Sequence, residues 1–243
     1  MRGIFVADPT TEDPGSPPSH ELSGEVEVRA VGPAASVLWL RRLALGDGAA
    51  VTWASDHGEE ALYVVSGVVD VGGRDAPAGG ALVVEGAARA RAVAVGPTEV
   101  VHVGRRDGGG GDGTEVHVIG PGGTHVLEEP GRLTRFFADS RCPTCSVTLF
   151  LTGRDGAYES APHSHSADEL IHVLDGELHL GRTVLGPSST LGVEADRRYG
   201  FRSPGFRFLN YRPGPSWLTR ARRAGPIEEG PEAAGLREVG DLR

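Results

Sequence analysis

The chain has 243 residues, a formal net charge of −9 and 39% hydrophobic residues. That is length for two ordinary domains or one large one, with enough apolar material to bury cores, and the acidic balance argues against a general nucleic-acid binder. Every Lys/Arg-type cation is an arginine, which excludes Schiff-base chemistry on a lysine, and the chain offers no run of about eighteen apolar residues to cross a membrane.

Residues 1–24 are rich in Pro, Ser, Thr and acids and read as a loose N-terminal arm. They lack a signal-peptide core, so a cytoplasmic location is expected. From Glu25 onward short apolar runs alternate with turn residues: EVEVRAV, SVLWLRRLAL, AVTW, ALYVVSG, VVDVGG, GALVVEG, RAVAV and EVVHVG. Gly 37 and Pro 17 supply the punctuation. Many short strands at near-regular spacing predict an all-β sandwich or barrel. Asp107 to Asp112 (DGGGGD) reads as a flexible loop, and PGGTHVLEEPGR, residues 121–132, as a boundary between two units.

The two cysteines, Cys142 and Cys145, stand in CPTC. Two such closely spaced thiols are not expected to form a disulfide scaffold; the pair could be half a zinc site or a redox pair, but there is no second Cys pair. The favoured reading is a structural turn leading into a strand from Ser146 to Leu151.

The most informative stretch is PHSHSADELIHVLDG, Pro162 to Gly176. His163 and His165 are two apart, so on an extended backbone both imidazoles share a face. Glu169 keeps that parity, and the strand after it is expected to end at the turn Asp175-Gly176. Two imidazoles and a carboxylate from one side form the donor set of an open divalent metal site. His172 has the opposite parity and is expected to face away.

This spacing, H-x-H-x3-E followed by an apolar strand and a Gly turn, resembles the first motif of the cupins. The resemblance implies a small antiparallel barrel with a metal in its mouth. A constant offset of 109 residues then lays ALYVVSG (61–67) over LIHVLDG (170–176), Glu60 over Glu169, Gly72 over Gly181 and VEGAAR (84–89) over VEADRR (193–198). The chain therefore reads as two tandem cupin-type antiparallel jelly-roll barrels, a bicupin. The expected domains are 25–125 and 126–215, followed by a tail, 216–243, that reads as a short helix or an ordered strap.

The offset also compares the two sites. Where the second barrel has His163, His165 and Glu169, the first has Ala54, Asp56 and Glu60, with His57 turned to the other face. The first barrel is thus expected to be a degenerate copy. Where the family's second motif often carries a histidine, this chain has Tyr199 and, in the first half, Ala90. Tyr199 is read either as a phenol beside the metal with a catalytic role or as an aromatic filling the barrel mouth. His20, His102, His117, His125 and His179 read as structural, with no partner nearby for His102, His117 and His125. Arg198, Phe201, Phe208 and Asn210 are nominated as pocket residues, an inward arginine being suited to a carboxylate substrate.

Three protein ligands leave about three open positions on a six-coordinate ion, a set suited to Fe(II) and also open to Zn, Mn, Ni or Co. The expected function is a dioxygenase-like enzyme acting on a small organic substrate. The alternatives are a non-redox Zn, Mn or Ni cupin, isomerase- or hydrolase-like, and a non-catalytic small-molecule binder. A homodimer is an open partner assignment.

Overall fold

Runs such as LWLRRLAL and EALYVVS carry apolar residues on both sides of the strand because the sheet they form is buried on both faces, one inside a barrel and one between barrels. The computed structural model describes residues 3–11, 20–54, 57–109, 111–214, 216–222 and 225–231. Among these residues there is no helix, and so none long and apolar enough to cross a membrane. The chain forms two antiparallel jelly-roll barrels in tandem.

The first barrel pairs a six-stranded sheet with a five-stranded one. The six-stranded sheet runs Val116–Ile119, Ala81–Val84, Glu60–Ser66, Thr98–Arg105, Leu38–Leu45, Val26–Val31 in spatial order. Leu43, Val51, Trp53, Leu62, Val64, Leu82 and Val100 fill its interior. In the second barrel the large sheet is built around Glu169–Leu180 and Arg202–Pro213, which pair along most of their length. Its core is aromatic: Phe136, Phe150, Tyr199, Phe201, Phe206 and Phe208. A third apolar layer joins the barrels, with Leu38, Leu40, Tyr63 and Val101 of the first against Phe137, Leu149, Leu170 and Tyr211 of the second.

The N-terminal strands divide between the two barrels. Ile4–Ala7 pairs with Thr190–Val193 at an edge of the second barrel's large sheet, whereas His20–Ser23 pairs with Ala50–Trp53 of the first barrel. Trp217–Arg222 lies between His163–His165 and Gly225–Pro231 in a small three-stranded sheet. Residues 232–243 lie outside the described part.

The internal repeat is visible in the register. Glu60 pairs with Val84 and Glu169 with Val193; Leu62 pairs with Leu82 and Ile171 with Leu191. Gly67 and Gly176 both take positive φ, as do Gly72 and Gly181. One local expectation is corrected. The strand after Glu169 does not end at Asp175-Gly176 but runs on to Leu180, with Leu174 bulged out in a register shift between Val173 and Asp175 and Gly176 paired with Phe206. Gly176 (φ 71) brings its Cα against the carbonyl of Gly205, where a Cβ would collide with backbone. Gly176→Ala is therefore expected to destabilise the second barrel by roughly 3 kcal/mol, through strain plus overlap. Urea unfolding of the two proteins checks this.

Candidate functional site

SAPHSHSADE is too polar for a core strand, so it lies across the mouth of the second barrel and carries side chains inward from the rim. His163–His165 is held by Trp217–Arg222 on one side, and His163 also bridges to Tyr199 on the other. The rings of His163 and His165 meet edge to face with centroids 5.0 Å apart, and His163 packs on Tyr199 at 4.6 Å. Together with Glu169, Asn210 and Arg212 they line a cavity of about 310 Å³ walled by Phe150, Phe201, Phe206 and Phe208.

Glu169 is the floor of this cavity and is 1% exposed. It accepts hydrogen bonds from Tyr199 Oη (2.6 Å), Asn210 Nδ2 (2.5 Å), Arg212 Nε (3.0 Å) and Arg212 Nη2 (2.6 Å). Burial works to raise its pKa, but the Arg212 guanidinium, His165 and these donors outweigh it and hold the carboxyl well below the usual carboxylate range. Arg212 also approaches His165 Nε2 at 3.3 Å and lies over the Phe150 ring. His163 Nδ1 bonds the carbonyl of Ala161 (2.8 Å), which leaves Nε2 for the cavity. Burial, with His165 adding to it, pushes His163 down to about 4, so it is neutral at pH 7.

The fit of a divalent ion turns on Glu169. Two imidazoles are suitable donors by type, and His165 Nε2 lies 3.8 Å from Glu169 Oε1, close enough for both to reach one ion. The carboxylate, however, is already neutralised by a buried guanidinium that also faces His165. In this arrangement Arg212 stands where a cation would bind, and the three side chains do not fit a three-ligand centre. Among the described residues, the one group of His, Cys, Asp or Glu with all donor atoms within 4.8 Å of one another is Glu85, His117, Cys142 and Cys145.

The first barrel repeats the construction with other residues. Glu60 is fully buried and is held by Trp53 Nε1 (2.6 Å) and His102 Nε2 (2.7 Å). Trp53 pairs with Ala90 as His163 bridges to Tyr199, and His102 pairs with Leu62 as Asn210 pairs with Ile171. The indole is buried in the first barrel's core. Asp56 lies outside the described residues. His57 is buried and bonds the carbonyl of Ala88.

Two histidines expected to lack partners have them: His102 on Glu60, and His117 on Glu85 at 2.9 Å. The polar partners come from strands distant in sequence, which spacing alone does not show. His172 faces away from the cavity and bonds Thr190 Oγ1. Half-buried His179 pairs with Glu177. Phe201, Phe208 and Asn210 line the cavity, whereas Arg198 is exposed and does not. Sequence reasoning missed Arg212, although its parity with Asn210 on one strand was the available signal.

No family model matches the chain, and no curated protein matches it by sequence. Solved structures do share its fold. A Pseudomonas aeruginosa protein named for glyoxylate induction superposes with a TM-score of 0.61 at 16% identity, covering 88% of this chain and 90% of that one. A cupin 2 conserved barrel protein from Leptotrichia buccalis gives 0.51 at 12% identity over 78% and 89%. A mutant of Bacillus subtilis oxalate decarboxylase gives 0.56 at 13% identity over 85% and 80%.

Proposed function

Taking the chain as two cupin-type barrels in tandem, we propose that only the second keeps a working cavity and that it binds a small, uncharged organic molecule bearing a hydroxyl or amide donor. One observation carries this reading. Asn210 is 1% exposed and lines the cavity; its Nδ2 donates to Glu169, and its Oδ1 has no hydrogen-bond partner among the described residues. The carboxylate only accepts, so the amide orientation follows, and a buried acceptor is left for a ligand N–H or O–H. Glu169 and Arg212 cancel each other's charge, and the phenylalanine walls suit an apolar ring or chain. Around such a ligand, the neutral His163 imidazole is placed to accept a proton or hydrogen bond, and Tyr199 holds its phenol proton on Glu169.

A second reading is a divalent-metal centre, Fe(II)-type and dioxygenase-like, on His163, His165 and Glu169. It is favoured by the 3.8 Å approach of His165 Nε2 to Glu169 Oε1. It requires Arg212 to release the carboxylate.

One experiment separates the two. Elemental analysis of protein purified anaerobically, together with calorimetric binding of a panel of neutral phenols, alcohols and amides, is run on wild type and Asn210→Leu. The first reading expects no stoichiometric metal bound by the two histidines, and one panel class whose affinity falls about tenfold or more in Asn210→Leu, the loss of one buried hydrogen bond. Stoichiometric metal that disappears in His163→Ala/His165→Ala selects the second reading and overturns the first.

A further inference from the structure

CPTC lies in the connection between two second-barrel strands, Arg132–Ala138 and Val147–Arg154, and it is not alone there. Cys142 and Cys145 are joined as a disulfide in a turn that Cys142 N–H closes on the carbonyl of Asp139. The turn packs on two first-barrel side chains. Glu85, 1% exposed, follows the strand Ala81–Val84, and His117 stands on Val116–Ile119. Glu85 Oε1 meets His117 Nε2 at 2.9 Å, and Glu85 Oε2 accepts the Glu115 N–H at 2.8 Å, so the carboxylate is fixed toward the turn. One donor atom from each of the four residues lies within 4.8 Å of the others. A cavity of about 370 Å³ opens beside His117, Cys142 and Cys145.

We infer that the reduced form of this turn is a zinc site, with Cys142, Cys145, His117 and Glu85 as a tetrahedral set that ties the two barrels together. Two thiolates, an imidazole and a carboxylate are zinc ligands by type, and the sulfurs select against magnesium or calcium. Ligand bonds of about 2.0–2.3 Å place tetrahedral donors roughly 3.3–3.8 Å apart, so the four atoms close on one ion once reduction lets the two bonded sulfurs move apart. The Cys145 N–H already points at Cys142 Sγ (3.2 Å), a contact that favours a thiolate there.

The disulfide makes the site conditional. A dithiol or phosphine reductant gives two electrons to the S–S bond and becomes oxidised itself; the two sulfurs take up two protons. Zinc then displaces those two protons on binding both thiolates, and the His117 Nε2 lone pair and a Glu85 oxygen complete the set. The oxidised turn lacks both sulfur ligands and holds no zinc.

Cobalt(II) is the probe, because thiolate-bound cobalt shows a sulfur-to-metal charge-transfer band and tetrahedral visible bands. The full chain carrying His163→Ala and His165→Ala is titrated with Co²⁺, oxidised and after reduction with a phosphine. The expected result is one equivalent bound with both band types in the reduced protein, displaced by one equivalent of Zn²⁺, and neither band in the oxidised protein. Cys142→Ser/Cys145→Ser removes the bands, and His117→Ala weakens binding roughly a hundredfold. Where a variant fails to fold, the oxidised-against-reduced comparison of the parent protein carries the test. No thiolate band on reduction, or equal affinity in the two redox states, overturns the proposal.

Discussion

Arg212→Met is expected to unfold the second barrel more readily than any other single change in the cavity. Both partners of the Arg212–Glu169 pair are buried, at 2% and 1% exposure, with the shortest contact at 2.6 Å. Removing the guanidinium leaves a carboxylate in a low-dielectric interior with only Tyr199 and Asn210 as donors. Breaking a buried pair from one side costs about 3–5 kcal/mol, or a fall in Tm on the order of 10 °C for a chain of this size. Replacing both partners with apolar residues of similar volume behaves differently. Glu169→Leu in the Arg212→Met background is expected to recover most of the loss, because no uncompensated charge remains. Thermal and urea unfolding of the single and double variants measure this. An Arg212→Met protein within about 1 kcal/mol of wild type would mean that the guanidinium does not neutralise Glu169, and the case against a metal at that carboxylate would fall with it.

The second large effect is on pH dependence. His172 is fully buried; Nδ1 bonds Thr190 Oγ1 and Nε2 has no partner among the described residues. Burial, reinforced by the charge of Arg42, pushes it down to about 3 from an ordinary 6.5. Between those values the unfolded chain takes a proton that the folded chain refuses. Its contribution is therefore complete above pH 6.5 and is lost as pH falls, at about 1.4 kcal/mol per unit. His163, pushed down to about 4 mainly by burial, has the same sign. Glu59 has the opposite sign. Burial pushes it up to about 7 from 4.5, against hydrogen bonds from the Ser146 N–H, so its contribution is complete below 4.5 and is lost as pH rises through 7.

From pH 6.5 down to 4.5 two histidines lose while one carboxyl gains. The net is one proton's slope, a loss of roughly 3 kcal/mol across the window, with maximum stability near pH 6.5. Below 4.5 Glu169 adds to the loss, since its depressed pKa makes its contribution vanish with acid. His172→Phe is expected to flatten the 4.5–6.5 window, and Glu59→Gln to steepen it to two protons. Denaturant unfolding at one-unit pH steps reads both slopes; an unchanged slope in His172→Phe would refute the assignment.

Much of this was legible in the chain as written. The duplication is a linear property, so Glu60/Glu169 and Gly67/Gly176 could be aligned before any coordinates, and the pairings to Val84 and Val193 repeat that alignment. The shared face of His163 and His165 follows from strand periodicity. Less was legible at Gly176, because a glycine of positive φ within a strand and one in a turn look alike in sequence and differ only in whether the partner strand, here Arg202–Pro213, continues alongside.

What amino-acid order determined by itself is the all-β class, the two-fold repeat, and which half retains an imidazole pair: these depend on local spacing and the alternation of side chains along a strand. What only the tertiary structure decided is who meets whom. Arg212 reaches Glu169 across 43 positions, Trp53 and His102 close the first barrel over Glu60, and Cys142 and Cys145 come to rest against Glu85 and His117. The charge state and occupancy of a buried site depend on such long-range contacts, because in a low-dielectric interior a single neighbouring cation or indole outweighs the pattern of the residues nearby in sequence.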